Sequence, residues 1–423
     1  MTSAAAHEIQ PFSRTDRSFL GAWWWTVDQG LLLSILLLAL IGVAMVSTAS
    51  PPVAQLLELD DYYFLKRQVL ILIPALALML GVSMLAPRTI WRICSLLLII
   101  SMMALVATMF MGTEIKGARR WLPFLGMSVQ PSEFVKPAFI VVAAWFIALQ
   151  NASWARVGGV KLELGKAFTL KEKPLGGYFF VVGLYTVIIV LLMLQPDLGM
   201  SVIVTSVFGV QIFLSGMRLR YIALILLLGI GLLGGAYMGF EHVRSRVDRF
   251  FYPESGDTYQ VDQSLAAFRN GGLTGTGPGQ GTVKLNLPDA HADFIFPVAG
   301  EEFGIFFILF LISLFLFIVL RGFKRLLHSE DMFPILAVGG LLTMFGLQAF
   351  VHMGSSVQLL PAKGMTMPFI SYGGSSLLSL GLSMGIVLAL TRRQGRLTAS
   401  RVGLIRSSFA VQDVKEEPGG TEE

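Results

Sequence analysis

Cysteine is nearly absent: among 423 residues there is one, Cys94. A lone cysteine excludes a disulfide framework and any cysteine-built metal centre. Charge is scarce too. Asp, Glu, Lys and Arg make up 14% of the chain, against roughly a quarter in an average soluble protein, which excludes a soluble enzyme. What fills the chain is apolar: 54% of residues are hydrophobic, and the mean hydropathy is +0.70. Ten apolar stretches stand out, at roughly 29–49, 68–86, 93–112, 134–153, 176–195, 198–217, 221–240, 303–320, 332–353 and 371–390. Each reaches or approaches the about 20 helical residues needed to cross a hydrocarbon core of about 30 Å. The expected fold is therefore an all-α polytopic membrane protein with about ten transmembrane helices. The first stretch is too long for a signal-peptide core, so it is expected to be retained.

Positive charge sets the expected orientation. With ten spans both ends of the chain fall on one side, and the loops on that side hold 20 of the 32 Lys and Arg residues. That side is read as cytoplasmic. The organisation is then a cytoplasmic segment 1–28, a membrane domain 29–391, and a basic, then acidic, tail 392–423 expected to be disordered. A large extracytoplasmic loop, 241–302, falls between the seventh and eighth spans.

Three polar segments on the expected outer face need an explanation. Thr113–Lys136 places Glu114, Lys116, Arg119, Arg120, Glu133 and Lys136 between two apolar spans. Internal pairing, for instance Glu114 with Lys116 or Arg119, is one account. The other is an anionic ligand, because Arg and Lys are the usual phosphate partners. The tight Gln195, Pro196, Asp197 connection has two accounts as well: Asp197 caps the next helix or serves a polar cavity. The last outer loop contains Pro361, Gly364 and Pro368, so it reads as irregular backbone lining a cavity, with Lys363 facing that cavity.

The large loop carries DQSLAAFRN, a short helix ended by Gly271 and Gly272, and then the glycine-rich run Gly272–Gly281. Such a run suits either a flexible loop or a phosphate cradle, but it lacks the G-K-[ST] of a nucleotide-binding P-loop. Next comes PDAHADFIFPVAGEEFG, residues 288–304. His291 is a metal ligand, a partner of the neighbouring aspartate, or a hydrogen-bonded structural residue. Glu301 and Glu302 suit the first turn of a helix. Asp293 lacks that account, since Phe294, Ile295 and Phe296 follow it directly. A carboxylate where the chain enters hydrocarbon is costly to keep ionised, and it reads as a general base at a membrane surface.

Taken together, GARRWL with QPSEFVK, QPDLG, DQSLAAFRNGGLTGTGPGQG, LPDAHADFIFPVAGEEFG and LPAKGMTMPFISYGGSS resemble the SEDS family of peptidoglycan polymerases (shape, elongation, division and sporulation). The resemblance covers nearly the whole chain and is strongest to the cell-division branch. It implies a catalytic aspartate at Asp293 and a functional polar pair at Glu114 and Lys116. Ala292, Pro297 and His352 stand where the family commonly has threonine, alanine and asparagine. The implied substrate is lipid II, a disaccharide-peptide on undecaprenyl diphosphate, polymerised at the inner membrane during septal wall synthesis. Lys116, Arg119, Arg120 and Lys363 are then the candidate diphosphate-binding residues. A divalent cation, Mg²⁺ or Mn²⁺, is the expected cofactor, and no organic cofactor is expected. The implied partners are an FtsI-like class B penicillin-binding transpeptidase and other divisome proteins. A lipid II flippase is the alternative from another functional class.

Overall fold

The computed structural model describes residues 18–115, 118–124, 127–151, 169–170, 173–174, 176–195, 197–217, 259–287, 289–327, 329–360 and 365–392, with scattered positions between 220 and 248. Residues 30–391 form one compact unit; the eight-residue helix α1, Phe19–Thr26, belongs to a separate one. The membrane unit runs α2 (Gln29–Ala49), α3 (Pro51–Leu56), α4 (Tyr63–Ser83), α5 (Pro87–Met111), α6 (Pro131–Asn151), α7 (Gly176–Leu194), α8 (Leu198–Leu214), α9 (Tyr259–Gly271), α10 (Ile295–Leu326), α11 (Met332–Ser356) and α12 (Gly374–Leu390). Seven of these are long and apolar enough to cross a membrane, and α8 and α12 are shorter apolar helices. Together these nine match nine of the ten expected spans. The remaining one, 221–240, lies mostly outside the described residues.

These helices are apolar on the outside as well as in the core, as lipid solvent requires. Leu96, Met103 and Phe110 of α5 and Phe306, Leu309 and Leu316 of α10 are exposed. A contiguous apolar exterior of this kind fits a bilayer rather than water. Inside, glycine permits close approach: Gly381 and Gly385 of α12 face the backbone of Ala75 and Met79 on α4. Buried polar side chains join helices where no hydrophobic force does. The Gln211 side-chain amide on α8 donates to Ile140 O on α6 at 2.8 Å and to Leu336 O on α11 at 3.2 Å.

The segment between α5 and α6 adds β structure that the apolar pattern does not announce. Strands β1 (Thr113–Ile115), β2 (Ala118–Phe124) and β3 (Met127–Val129) form an antiparallel meander. In its register Glu114 faces Arg119 and Pro123 faces Ser128. Pro131 then starts α6, where a missing N–H costs nothing, and Glu133 falls in its first turn.

Candidate functional site

Asp293 lies in a tight turn just ahead of α10. Asp289 adopts a left-handed conformation, φ +54°, which Asp tolerates better than most residues. Its carbonyl thereby accepts two N–H donors, from Ala292 at 2.9 Å and Asp293 at 3.0 Å. Ala290, His291 and Phe294 are buried, while Asp293 keeps partial exposure. It therefore stands at the lip of the core, next to the N-terminus of α10, where negative charge is favoured.

A second segment closes on this turn from the far end of the chain. Met367–Ser371 forms a turn of its own, with Ile370 N and Ser371 N donating to Met367 O at 3.1 and 3.0 Å. Phe369 sits at φ +62°, an unusual conformation for a bulky residue. Its backbone packs on Gly42 of α2, where any Cβ would strike Phe369 O. From there Ser371 Oγ donates to Ala292 O at 2.7 Å, and Tyr372 N donates to His291 O at 3.0 Å. Four residues on, Ser375 Oγ accepts from Gln130 N at 3.0 Å and donates to Ser128 O at 3.4 Å. The stretch Met367–Ser375 thus joins the Asp293 turn to the end of the β meander.

The His291 ring packs between Phe64, centroids 4.1 Å apart, and Tyr372, 5.2 Å apart. Burial pushes its pKa down to about 4, only partly opposed by Asp289, so it is neutral at neutral pH. Nδ1 has no hydrogen-bond partner. Among the described residues no group of three or more His, Cys, Asp or Glu comes together as a metal site, so His291 is a packed ring rather than one of several clustered ligands. Burial raises the Tyr372 phenol, and Arg67 opposes that shift. Arg67 itself donates to Tyr63 Oη at 2.9 Å.

Downstream of Asp293, α10 is broken. Gly304 has φ +76° inside the helix, and a Cβ there would strike the Leu273 carbonyl. The glycine-rich run fills the break. Thr276 N donates to Glu301 O at 2.9 Å, Gly277 N donates to Glu302 O at 3.0 Å, and Ile305 N donates to Gly272 O at 3.1 Å. Two N–H groups of the run, Thr276 and Gly277, and one of its carbonyls, Gly272, are thus bonded to the helix, so this part of the run acts as a backbone splint. Glu301 completes it. Its fully buried carboxylate accepts from Asn270 Nδ2 at 2.7 Å, Thr282 N at 2.8 Å, Val283 N at 2.8 Å and Lys284 N at 3.0 Å. Glu302 pairs with buried Lys284, whose ammonium also donates to Thr48 O of α2 at 2.9 Å. The expected first-turn role of these two acids is thus replaced by buried structural bonds.

The expected cation cluster divides. Arg119 pairs with Glu114 across the β1–β2 register at 3.3 Å, both exposed, which is the internal-pairing account. Arg120 turns inward, donating to Gln195 O at 3.0 Å and standing 3.7 Å from Asp197. Asp197 caps α8 through Met200 N at 3.4 Å and accepts from Gln130 Nε2 at 3.3 Å, so capping and a polar interior are both realised. Lys116 and Lys363 lie outside the described residues.

Two groups escaped the sequence reading. Arg67 falls just outside the expected span 68–86, yet α4 begins at Tyr63 and includes it. Its i,i+4 spacing to Tyr63 was the available signal. Glu133 and Lys136 read as members of the Thr113–Lys136 charge cluster, yet they form a buried pair at 2.9 Å. Lys136 Nζ also lies 3.5 Å from Gln348 Oε1, and Gln348 Nε2 donates to Thr366 O at 3.1 Å.

Comparison with known proteins bears on what such a site does. The family model described as cell cycle protein, covering FtsW, RodA and SpoVE, matches residues 29–395. A probable peptidoglycan glycosyltransferase FtsW of Caulobacter vibrioides is 39% identical over 93% of this chain and 96% of its own length. One from Geobacter metallireducens is 35% identical over 86% of this chain and 95% of its own length. Among solved structures, a chain described under structural coordination of polymerization and crosslinking by a peptidoglycan synthase complex superposes with TM-score 0.70. It is 25% identical and covers 88% of this chain and 100% of that one. The rod shape determining protein RodA of Thermus thermophilus shares the fold, with TM-score 0.62 and 24% identity over 88% of this chain and 99% of that one.

Proposed function

Because the chain belongs to the FtsW, RodA and SpoVE family of cell cycle proteins, we propose that it is a peptidoglycan glycosyltransferase of the cell-division type. Its substrate is lipid II, and its site lies on the extracytoplasmic face of the inner membrane at the septum, with both termini cytoplasmic. The observation that carries this reading is the setting of Asp293: a partly exposed carboxylate at the lip of an apolar core, in a turn bonded on both sides.

The chemistry follows from the substrate. Joining the 4-hydroxyl of one sugar to the anomeric carbon of another, with diphosphate leaving and inversion at that carbon, needs a base for the hydroxyl proton. Glycoside hydrolysis also needs a general acid because its leaving group is poor. Diphosphate leaves readily, so one carboxylate suffices. Asp293 takes the proton. Lys116 and Lys363, with Arg67 and Arg120 exchanging their present partners, are the cations proposed to hold diphosphate and offset its developing charge. Mg²⁺ or Mn²⁺ would add charge stabilisation, and such an ion is often held by one or two carboxylates plus substrate phosphates.

An FtsI-like class B penicillin-binding transpeptidase is the proposed partner, supported by likeness to a chain from a synthase complex that couples polymerization and crosslinking. Other divisome proteins would join it. The flippase alternative draws no support from the relatives, which are named for sugar transfer.

The deciding experiment is polymerisation of purified lipid II by the protein with its transpeptidase, wild type against Asp293→Asn. Long glycan strands from wild type and a loss of at least about 100-fold in the variant are expected, in line with general-base contributions of about 10²–10⁴. Equal strands from both would remove Asp293 from the chemistry.

A further inference from the structure

Asp293 is set by its backbone before its side chain does anything, and the groups that set it can be traced bond by bond. A peptide unit is planar, so holding its carbonyl oxygen and its N–H at once fixes the plane and both flanking Cα atoms. The unit between Ala292 and Asp293 is held in this way: Ala292 O accepts from Ser371 Oγ at 2.7 Å, and Asp293 N donates to Asp289 O at 3.0 Å. The unit before it is held likewise. His291 O accepts from Tyr372 N at 3.0 Å, and Ala292 N donates to Asp289 O at 2.9 Å. Two consecutive planes leading into the carboxylate are therefore pinned at both ends.

The donors come from one place, and only one of them is a side chain. Tyr372 N is backbone, which no substitution short of proline removes. Ser371 contributes its hydroxyl, and that hydroxyl is itself oriented, since it accepts from Met367 N at 2.8 Å. With its lone pair engaged by Met367, the O–H is directed at Ala292 O. Ser371 is 2% exposed, so water does not compete for either bond. Its own carbonyl accepts from Gln68 Nε2 of α4 at 3.4 Å, which ties the segment to a membrane helix.

We propose that Ser371 is a positioning residue for the glycosyl transfer: its hydroxyl fixes the Ala292–Asp293 peptide plane and thereby the direction from which the Asp293 carboxylate meets the acceptor hydroxyl. This rests on Asp293 being the base. The bond is not needed to bury Ser371 or to hold α12, because Tyr372 N, Gln68 and Ser375 join the same segment to its neighbours. Its loss therefore frees the plane of Asp293 without releasing the segment.

The test is steady-state polymerisation of purified lipid II by the protein in complex with its transpeptidase, comparing wild type, Ser371→Ala, Ser371→Thr and Asp293→Asn. Misplacing a reacting group by about 1 Å costs on the order of 100-fold. Ser371→Ala should accordingly lower kcat by about 10- to 100-fold and leave KM within about twofold. Ser371→Thr, which keeps the hydroxyl, should recover most of the rate. A purely structural serine would instead lower the folded, partner-bound fraction and leave kcat per folded complex unchanged. Unchanged kcat in Ser371→Ala, or no recovery in a folded Ser371→Thr, overturns the proposal. If Ser371→Ala does not fold, Ser371→Cys keeps most of the volume with a weaker donor, and its kcat decides in the same way. Equal strands from Asp293→Asn and wild type would overturn the base assignment itself, which is a separate reading of the same experiment.

Discussion

His291 stands two residues from the carboxylate yet is uncharged at neutral pH, because it is packed between Phe64 and Tyr372 with a pKa of about 4. Its ordinary pKa is 6.5, so between those values the unfolded chain binds a proton that the folded chain refuses. Stability then rises with pH across that window and is lost as pH falls from about 6.5 toward 4. The full effect by pH 4 is on the order of 3 kcal/mol at about 1.4 kcal/mol per pKa unit. Thermal unfolding in detergent at pH 7.5 and pH 5 should show the loss, and His291→Phe, which removes the titration, should shrink it. An unchanged pH dependence in that variant would assign the effect to another group. His291 also illustrates what a sequence withholds at this scale: its position beside Asp293 was plain, but its lack of charge comes from Phe64 and Tyr372, residues distant in the chain.

At the scale of elements, the broken helix α10 rests on two kinds of contact with separable costs. Gly304 has both a positive φ and the Leu273 carbonyl where a Cβ would go. Helix propensity alone would favour Ala over Gly by roughly 1 kcal/mol, but the positive φ and the carbonyl clash oppose it, so Gly304→Ala should destabilise, read as a lowered midpoint in thermal unfolding. A midpoint raised by the substitution would contradict the break. The Lys284–Glu302 pair is buried, and breaking such a pair from one side costs about 3–5 kcal/mol, whereas an apolar replacement of both partners is often neutral. Lys284→Met should be strongly destabilised, and Lys284→Met with Glu302→Leu should recover much of the loss. A double variant no better than the single would mean that Lys284 acts through its bond to Thr48 O instead. The glycine run and the two acids were all visible in the sequence. That they belong to one splint was not, because Gly272–Gly281 meets Glu301–Phe306 through backbone atoms, which leave no trace in side-chain pattern.

For the whole molecule, apolar run length located nine of the ten spans because a bilayer imposes one length on every helix. The β meander between α5 and α6 left no comparable signal: its strands are short, and it is tied in place by bonds to Ser375 and Gln195, which lie far along the chain. The site divides on the same line. Asp293 was legible because a carboxylate against an apolar run is anomalous by itself, whereas Arg67 and Ser371 acquire meaning only from what folds against them. The proposed partner offers a test at this scale. Co-expression with the class B transpeptidase should yield a complex that survives purification and makes glycan strands from lipid II. A protein that never associates with any class B transpeptidase of its cell would count against the pairing.

Ser371 lies 79 residues after Ala292, and Ser375 lies 245 after Gln130. During synthesis the turn bearing Asp293 is therefore made well before Ser371 and Tyr372, the distant residues that bond to it. A chain interrupted before residue 371 would carry the acid without the bonds from Ser371 and Tyr372.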